Sequence, residues 1–343
     1  MPFSWTNWRA HTRRQFRIRG LPALGEALWR GALGAAIDLG WALEQDAPLP
    51  EKVVIVVGHQ RSGTTWLHRM LASHPAACGM PLHNLLVPSG PIPWLAHRCP
   101  RPRWFDALQD RLFGGLDPIH RVRLHEAEED ELLLWAQLRS PANQLDAPWP
   151  ADSPPAHDWD DTAAAHYAQA LARRVRCTGR RVVGKNPHLT HRTDALRAAL
   201  PGVRFVQLVR HPARAIPSRL SLIRAIWRHR FGPHVQMEPH QVEHIVALST
   251  RCYLAGLDST DLSIAYTDLV DHPLDTVRRI HTAFGLEEVT PEHENALRAA
   301  QRTGPSRHAY SLDEFGLDRE ALAEALAPVY ERWGFDVSPS AAM

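Results

Sequence analysis

The sequence predicts an α/β domain: a parallel sheet flanked by helices, with a helical N-terminal arm and a lid insertion. Three observations predict it. Val53-Val54-Ile55-Val56-Val57 is a continuous β-branched run, the pattern of a strand buried on both faces of a parallel sheet. Further short strand-like runs alternate with stretches of helical spacing, as βαβ units require. Among them lies one long interval rich in Pro, His and Trp with little regular period.

Residues 1–48 read as the arm. Leu21 to Leu43 carries apolar residues at helical spacing, and Pro48 and Pro50 close it. An arm packed on the main domain is one reading, and a helix lying on a membrane surface is the other. The main domain, 49–338, opens with the Val53–Val57 strand. After Gly58, Trp66, Leu67, Met70 and Leu71 share a helical face until His74-Pro75. Residues from about 76 to 160 form the lid insertion, where substrate-specific parts usually sit, with a helix over Asp130–Gln137. Ala163–Arg176 is helical, Arg181–Gly184 a strand and His191–Leu200 a helix. Val203–Val209 and Leu262–Tyr266 are strands, and Asp275–Phe284 is a helix stopped by Gly285. Helices over Glu292–Gln301 and Arg319–Trp333 complete the chain.

Composition narrows the function. The chain is 44% hydrophobic and 22% charged, which is globular rather than disordered. A net charge of +2 gives no sign of a nucleic-acid partner. No apolar run approaches the roughly 20 residues of a membrane span, and the basic N-terminus leads into no secretory h-region. Cys78, Cys99, Cys177 and Cys252 are dispersed and form no CxxC, so a reducing, cytoplasmic compartment is expected. Lys52 and Lys185 are the chain's two lysines against many arginines, which singles them out for work that arginine does badly.

The chemistry begins at Gly58-His59-Gln60-Arg61-Ser62-Gly63-Thr64-Thr65, between a strand and a helix. This matches the phosphate-binding P-loop, G-x-x-x-x-G-K-[ST], except that Thr64 takes the lysine position. Glycines let successive N–H groups aim at an anion, and the helix N-terminus adds its dipole. Without the triphosphate lysine, and with Arg210 rather than an acid ending the next long strand, the loop suits a smaller anion without metal. Arg210 and Ser218, eight residues on across a turn made by Pro212, can converge on a second anion. Together the two segments describe a nucleotide site with an anion at each end.

These residues resemble a known family. G-x-x-R-S-G-T-T and V-R-x-P-x-x-x-x-x-S are similar to the 5′-phosphosulfate and 3′-phosphate motifs of sulfotransferases, closest to the bacterial branch related to tyrosylprotein sulfotransferases. Gly184-Lys185-Asn186-Pro187, Ala265-Tyr266-Thr267-Asp268-Leu269-Val270 and the segment Arg307–Leu317 extend the resemblance in order along the chain. It implies a P-loop-type sheet and 3′-phosphoadenosine 5′-phosphosulfate (PAPS) as donor, leaving adenosine 3′,5′-bisphosphate, with no metal. It further implies that Arg61, Ser62, Gly63, Thr64, Thr65 and Trp66 hold the phosphosulfate and that Arg210 and Ser218 hold the 3′-phosphate. Tyr266 would lie near the nucleoside, and Arg307 would close over it. From the residues alone, Tyr266 reads equally well as a core tyrosine ending its strand.

In-line sulfuryl transfer needs cations at the bridging oxygen and a base for the acceptor hydroxyl. The resemblance makes Arg61 and Lys185 those cations; a surface lysine at a strand end is the plainer reading of Lys185. Asn84 stands where relatives commonly carry a glutamate base. His83, His120 and Glu129 are the candidates for that base, in that order. The run Glu128–Glu131 reads otherwise as solvated acids opening a helix. His229, His234, His240 and His244 match no common zinc spacing and read as a mobile, solvated connector. A small-molecule or lipid-like hydroxyl compound is the expected acceptor. The rival functions are a P-loop small-molecule kinase and an inactive nucleotide-binding scaffold.

Overall fold

The computed structural model describes residues 3–88, 107, 123–152, 154–155, 159–299 and 311–337. Its strands are β1 (Val53–Val57), β2 (Ala77–Cys78), β3 (Arg181–Lys185), β4 (Val203–Val209) and β5 (Leu262–Ala265). They form one sheet in the order β2-β3-β1-β4-β5. β2 runs parallel to β3 with Ala77 opposite Arg181, and β4 runs parallel to β5 with Val206 opposite Leu262. β1 is central and buried along its whole length, as its unbroken β-branched run requires. The chain leaves β1 first for the β2 edge and later for β4 on the other side. In open α/β sheets generally, ligands bind at the carboxyl ends of strands beside such a reversal.

Backbone contacts cluster into two compact units, residues 1–53, 77–184 and 195–203, and residues 54–76, 185–194 and 204–343. In the first, α1 (Trp5–Arg19) and α2 (Ala23–Leu43) make a helical hairpin. Ser4 caps α1 by accepting the Asn7 N–H, and Gly20, with φ 62°, ends it. Phe3 and Ile37 from this hairpin pack with Ala136 and Leu138 beside α5 (Glu131–Ala136). The short α4 (Leu82–Leu86) and the long α6 (Asp161–Thr178), capped by Asp160, complete this unit's main helices.

The second unit carries α3 (Thr64–Ala72), α7 (Thr193–Ala199, which begins there), α8 (Pro212–Phe231) and α9 (Pro239–Ala255). After β5 come α10 (Tyr266–Asp271), α11 (Pro273–Phe284), α12 (Pro291–Ala299), α13 (Arg319–Ala325) and α14 (Ala327–Trp333). Two expectations are corrected here. Pro212 does not make a turn; it is the first residue of α8, where a missing N–H costs nothing, and His211 caps that helix by accepting the Ala213 N–H at 3.2 Å. The histidine-rich connector is also mostly helix. His229 lies in the last turn of α8, and His240 and His244 lie on α9, which Glu238 and Gln241 open with a reciprocal cap. Its charged and polar residues hid the apolar stripe of Val242, Ile245, Leu248 and Cys252, all buried.

Candidate functional site

The loop after β1 is a frame of glycines and hydrogen bonds. Gly58 has φ 115°, and a Cβ there would lie 2.4 Å from the Leu208 carbonyl. Gly63 has φ 89°, and a Cβ there would meet the Tyr266 ring at 2.8 Å. Both positions therefore need glycine for conformation and for space. Arg61, φ 69°, is one of two non-glycine residues in the left-handed region among the described residues. Such a backbone persists only where its surroundings hold it. Here the Arg61 carbonyl accepts from Arg210 Nη1 at 2.9 Å, and its own Nε donates to Ser218 Oγ at 3.1 Å. The three residues expected at two ends of a nucleotide thus meet through Arg61.

The carboxyl end of β3 supplies the second part. Lys185 is 1% exposed, not a surface lysine, and its Nζ donates to Thr65 Oγ1 at 2.9 Å. The segment behind it is stitched to the loop: Gly58 N–H donates to Thr190 Oγ1 at 2.9 Å, and Gln60 Nε2 and His188 Nε2 lie 2.8 Å apart. Asn186 N–H donates to the Val56 carbonyl, and the Asn186 side chain accepts from His188 N–H at 3.1 Å. Thr64 is buried, and α3 starts behind Gly63 without a side-chain cap. The first amides of an uncapped helix need acceptors from elsewhere. An anion meets that need, and the Lys185 ammonium beside Thr65 adds charge of the right sign.

The carboxyl ends of β4 and β5 close the frame. The Arg210 guanidinium lies over the Tyr266 ring, 4.7 Å from its centroid. Tyr266 is half-buried and begins α10, so it is not a core residue finishing its strand. Burial pulls Arg210 below its ordinary value, with Tyr266 and Tyr253 acting in the opposite direction. A cation whose hydration has been reduced gains by taking an anion.

Two residues on this frame escaped the sequence reading. Tyr253 on α9 donates its hydroxyl to the Arg210 carbonyl at 2.8 Å, and His59 stacks on its ring at 4.9 Å. Burial pushes the Tyr253 phenol well above its usual range, so it stays a donor. Burial, with Arg219 nearby, drives His59 well below the usual imidazole value, so it stays neutral. The apolar spacing of α9 was the only available signal for Tyr253. A cavity of about 10 Å³ between His59, His188, Arg219 and Cys252 has room for a water-sized group only.

The base candidates lie in the first unit. His83, half-buried on α4, has Nδ1 2.7 Å from the Leu124 carbonyl. That contact makes Nδ1 the protonated nitrogen and Nε2 the basic one. Neighbouring Asn84 is buried. The acidic run is not the solvated helix start the sequence suggested. Glu128, Asp130 and Glu131 are all at most 2% exposed, while Glu129 is half-buried. Asp130 accepts from the Tyr167 hydroxyl at 2.9 Å, and Glu131 accepts from Ser140. His120 and Arg307 lie outside the described residues. Among the described residues, no three His, Cys, Asp or Glu side chains are grouped to hold a metal.

A profile of the sulfotransferase family matches residues 53–291, more than half of the chain. Among curated proteins, the omega-hydroxy-beta-dihydromenaquinone-9 sulfotransferases Stf3 of Mycobacterium bovis and Mycobacterium tuberculosis are each 23% identical over 314 residues, covering 82% of this chain and 75% of theirs. Among solved structures, sulfotransferase STF1 of Mycobacterium tuberculosis superposes with a TM-score of 0.69 at 21% identity, over 94% of this chain and 92% of that one. STF9 of Mycobacterium avium gives 0.67 at 21% identity, over 92% and 83%. Both share the parallel sheet flanked by helices described above. The profile match runs from β1 to the start of α12 and takes in the loop, Lys185, Arg210, Ser218 and Tyr266. This chain belongs to the sulfotransferase family.

Proposed function

We propose that the protein transfers a sulfuryl group from PAPS to the hydroxyl of a small-molecule or lipid-like acceptor. The observation that carries the reading is the Lys185–Thr65 contact at the uncapped start of α3. In a metal-using P-loop, the hydroxyl at this position faces Mg²⁺. Here it faces an ammonium. When bound, the donor would supply a sulfuryl group activated as a mixed anhydride with phosphate. The loop has groups that suit it: the Thr64 and Thr65 amides that open α3, the hydroxyls of the same two residues and the buried Lys185 ammonium beside Thr65.

In this reading the amides from Arg61 to Thr65 and the two threonine hydroxyls hold the 5′-phosphosulfate, with Trp66 beside them. Lys185 Nζ, already directed at Thr65, turns to the bridging oxygen and neutralises the charge that develops there. Arg61 stabilises the same charge. Arg210 and Ser218 take the 3′-phosphate, Ser218 donating its O–H to the anion while its oxygen still accepts from Arg61. Tyr266, stacked on Arg210, offers its ring to the nucleoside. His83 Nε2 accepts the acceptor's proton, with Glu129 and His120 as the further candidates. The lipid-like acceptor rests on the curated relatives, whose names give a menaquinone-derived substrate.

Thermal shift tests the donor. Adenosine 3′,5′-bisphosphate should raise Tm equally with and without EDTA, and ATP with Mg²⁺ should do less. Preference for MgATP would mean a kinase. Equal inertness of the wild type and Lys185→Ala toward every acceptor, with the bisphosphate still bound, would mean an inactive scaffold.

A further inference from the structure

Surface helices of globular proteins turn their apolar stripe inward and their charges outward. Helix α2 departs from this: beside Ala27 and Ile37 it turns its charges inward, and it leaves most of its leucines outside. Its charged residues are Glu26, Arg30 and Asp38, and each is used inside the first unit. Glu26 accepts from Arg19 at 2.6 Å and lies 3.2 Å from His11 Nε2. Arg30, 2% exposed, pairs with Asp146 at 2.8 Å and lies over the Trp135 ring. Asp38 accepts from the Phe3 N–H and the Trp5 indole.

The outward face is apolar throughout. Leu24, Leu28, Ala32, Ala35, Ala36, Leu39 and Leu43 recur at spacings of three and four. Leu28, Leu39 and Leu43 are 64%, 60% and 75% exposed, far more than leucines of a surface helix need be. The stripe is roughly 28 Å long at 1.5 Å per residue. Leu21 at the hairpin turn is 81% exposed and extends it.

Charge selects the occupant. Arg9, Arg13 and Arg17 form an exposed row at four-residue spacing along α1, and residues 1–25 contain no Asp or Glu. Thr12, Arg13, Phe16 and Arg17 line a shallow groove on that helix. The contact of Arg17 with Asp152, 3.6 Å between two largely exposed side chains, is a weak tie. A second copy of the same face would bring arginine row against arginine row. An anionic bilayer accommodates both features, since its headgroups pair with guanidinium groups and its acyl boundary takes leucine and tryptophan.

We infer that the α1–α2 hairpin is an interfacial membrane anchor that lays its leucine stripe and arginine row on an anionic lipid surface. It lies in the interface and does not cross it: no helix among the described residues is long and apolar enough to span a bilayer. The inference is independent of which acceptor is sulfated.

Co-sedimentation of the full chain with vesicles tests it, using phosphatidylcholine alone and a phosphatidylcholine–phosphatidylglycerol mixture. The wild type should pellet with the anionic mixture, and less so at high salt. Leu28→Glu with Leu39→Glu should weaken binding by roughly tenfold for each leucine. Arg13→Gln with Arg17→Gln should weaken it by about fivefold for each arginine, on the anionic mixture only. Circular dichroism and an unchanged bisphosphate-induced Tm shift would show that the variants are folded. Wild-type protein left in the supernatant with both vesicles would overturn the inference, as would a leucine variant that pellets like the wild type. A wild-type dimer in solution that the leucine variant converts to monomer would also overturn it, since the stripe would then be a seam between copies.

Discussion

The loop between β1 and α3 and the acidic run before α5 are both dense in functional residue types, yet they behave oppositely. In the loop the groups proposed to bind the donor are backbone amides, and local sequence fixes their frame: two glycines at positive φ, a buried strand before and a helix after. In the run the groups are carboxylates, and nothing local says whether they are solvated, cored or reactive. Glu128, Asp130 and Glu131 turn out buried, with Asp130 and Glu131 accepting hydrogen bonds from Tyr167 and Ser140, while Glu129 between them is half-buried. A site made of main chain can be read from spacing, whereas a site made of side chains takes its meaning from tertiary neighbours.

Lys185→Ala is the sharpest way to break this contrast, because Lys185 is the side chain proposed to add a catalytic charge to the backbone cradle. Turnover should fall by roughly 10²–10³-fold, as for loss of one transition-state donor, while the bisphosphate still raises Tm. Lys185→Arg should restore little, since a planar fork replaces a compact ammonium. Wild-type turnover in the alanine variant would remove Lys185 from the chemistry.

Asp130→Ala tests the run as structure. It leaves the buried Tyr167 hydroxyl without this acceptor, and chemical denaturation should record a loss of about 1–3 kcal/mol. A change within a few tenths would return the run to the solvated class. Gly63→Ala tests the loop as conformation. Strain at positive φ and the clash with Tyr266 together should cost about 1–2 kcal/mol and weaken the bisphosphate-induced shift. Adding Tyr266→Ala should recover the part due to the clash; full recovery would show that φ costs nothing there.

The smallest expected effect is a slope with pH. His166 on α6 packs its ring against Trp41 at 4.4 Å, and burial lowers its pKa to about 4. An imidazole kept neutral in the fold contributes stability above its unfolded value near 6.5 and loses it as pH falls toward 4. Tm should therefore decline across that interval, and less steeply in His166→Gln. His59 in the loop, held neutral by burial in the same way, should act in the same direction. An unchanged slope in His166→Gln would assign the acid sensitivity elsewhere.

Legibility along the chain follows the same physics. The Val53–Val57 strand, the α3 face of Leu67, Met70 and Leu71, and the Gly285 stop of α11 were readable because period and backbone conformation are local properties. Helices α8 and α9 were missed where Pro217 and a scatter of His and Arg mask the apolar stripe. The β2 edge was missed because it is only two residues long. Tyr253 was invisible because its role exists only where α9 brings it to the Arg210 carbonyl.

The sequence by itself determined the central strand, the glycine turn and the helix that follows, because those depend on φ/ψ freedom and apolar period within a few residues. Only the tertiary structure decided that Lys185 is buried against Thr65, that Arg61 ties Arg210 to Ser218, and that α2 wears its leucines outside. Each of those outcomes depends on which distant side chain arrives to compete for a hydrogen bond or a patch of solvent, and such competition leaves no trace in local spacing.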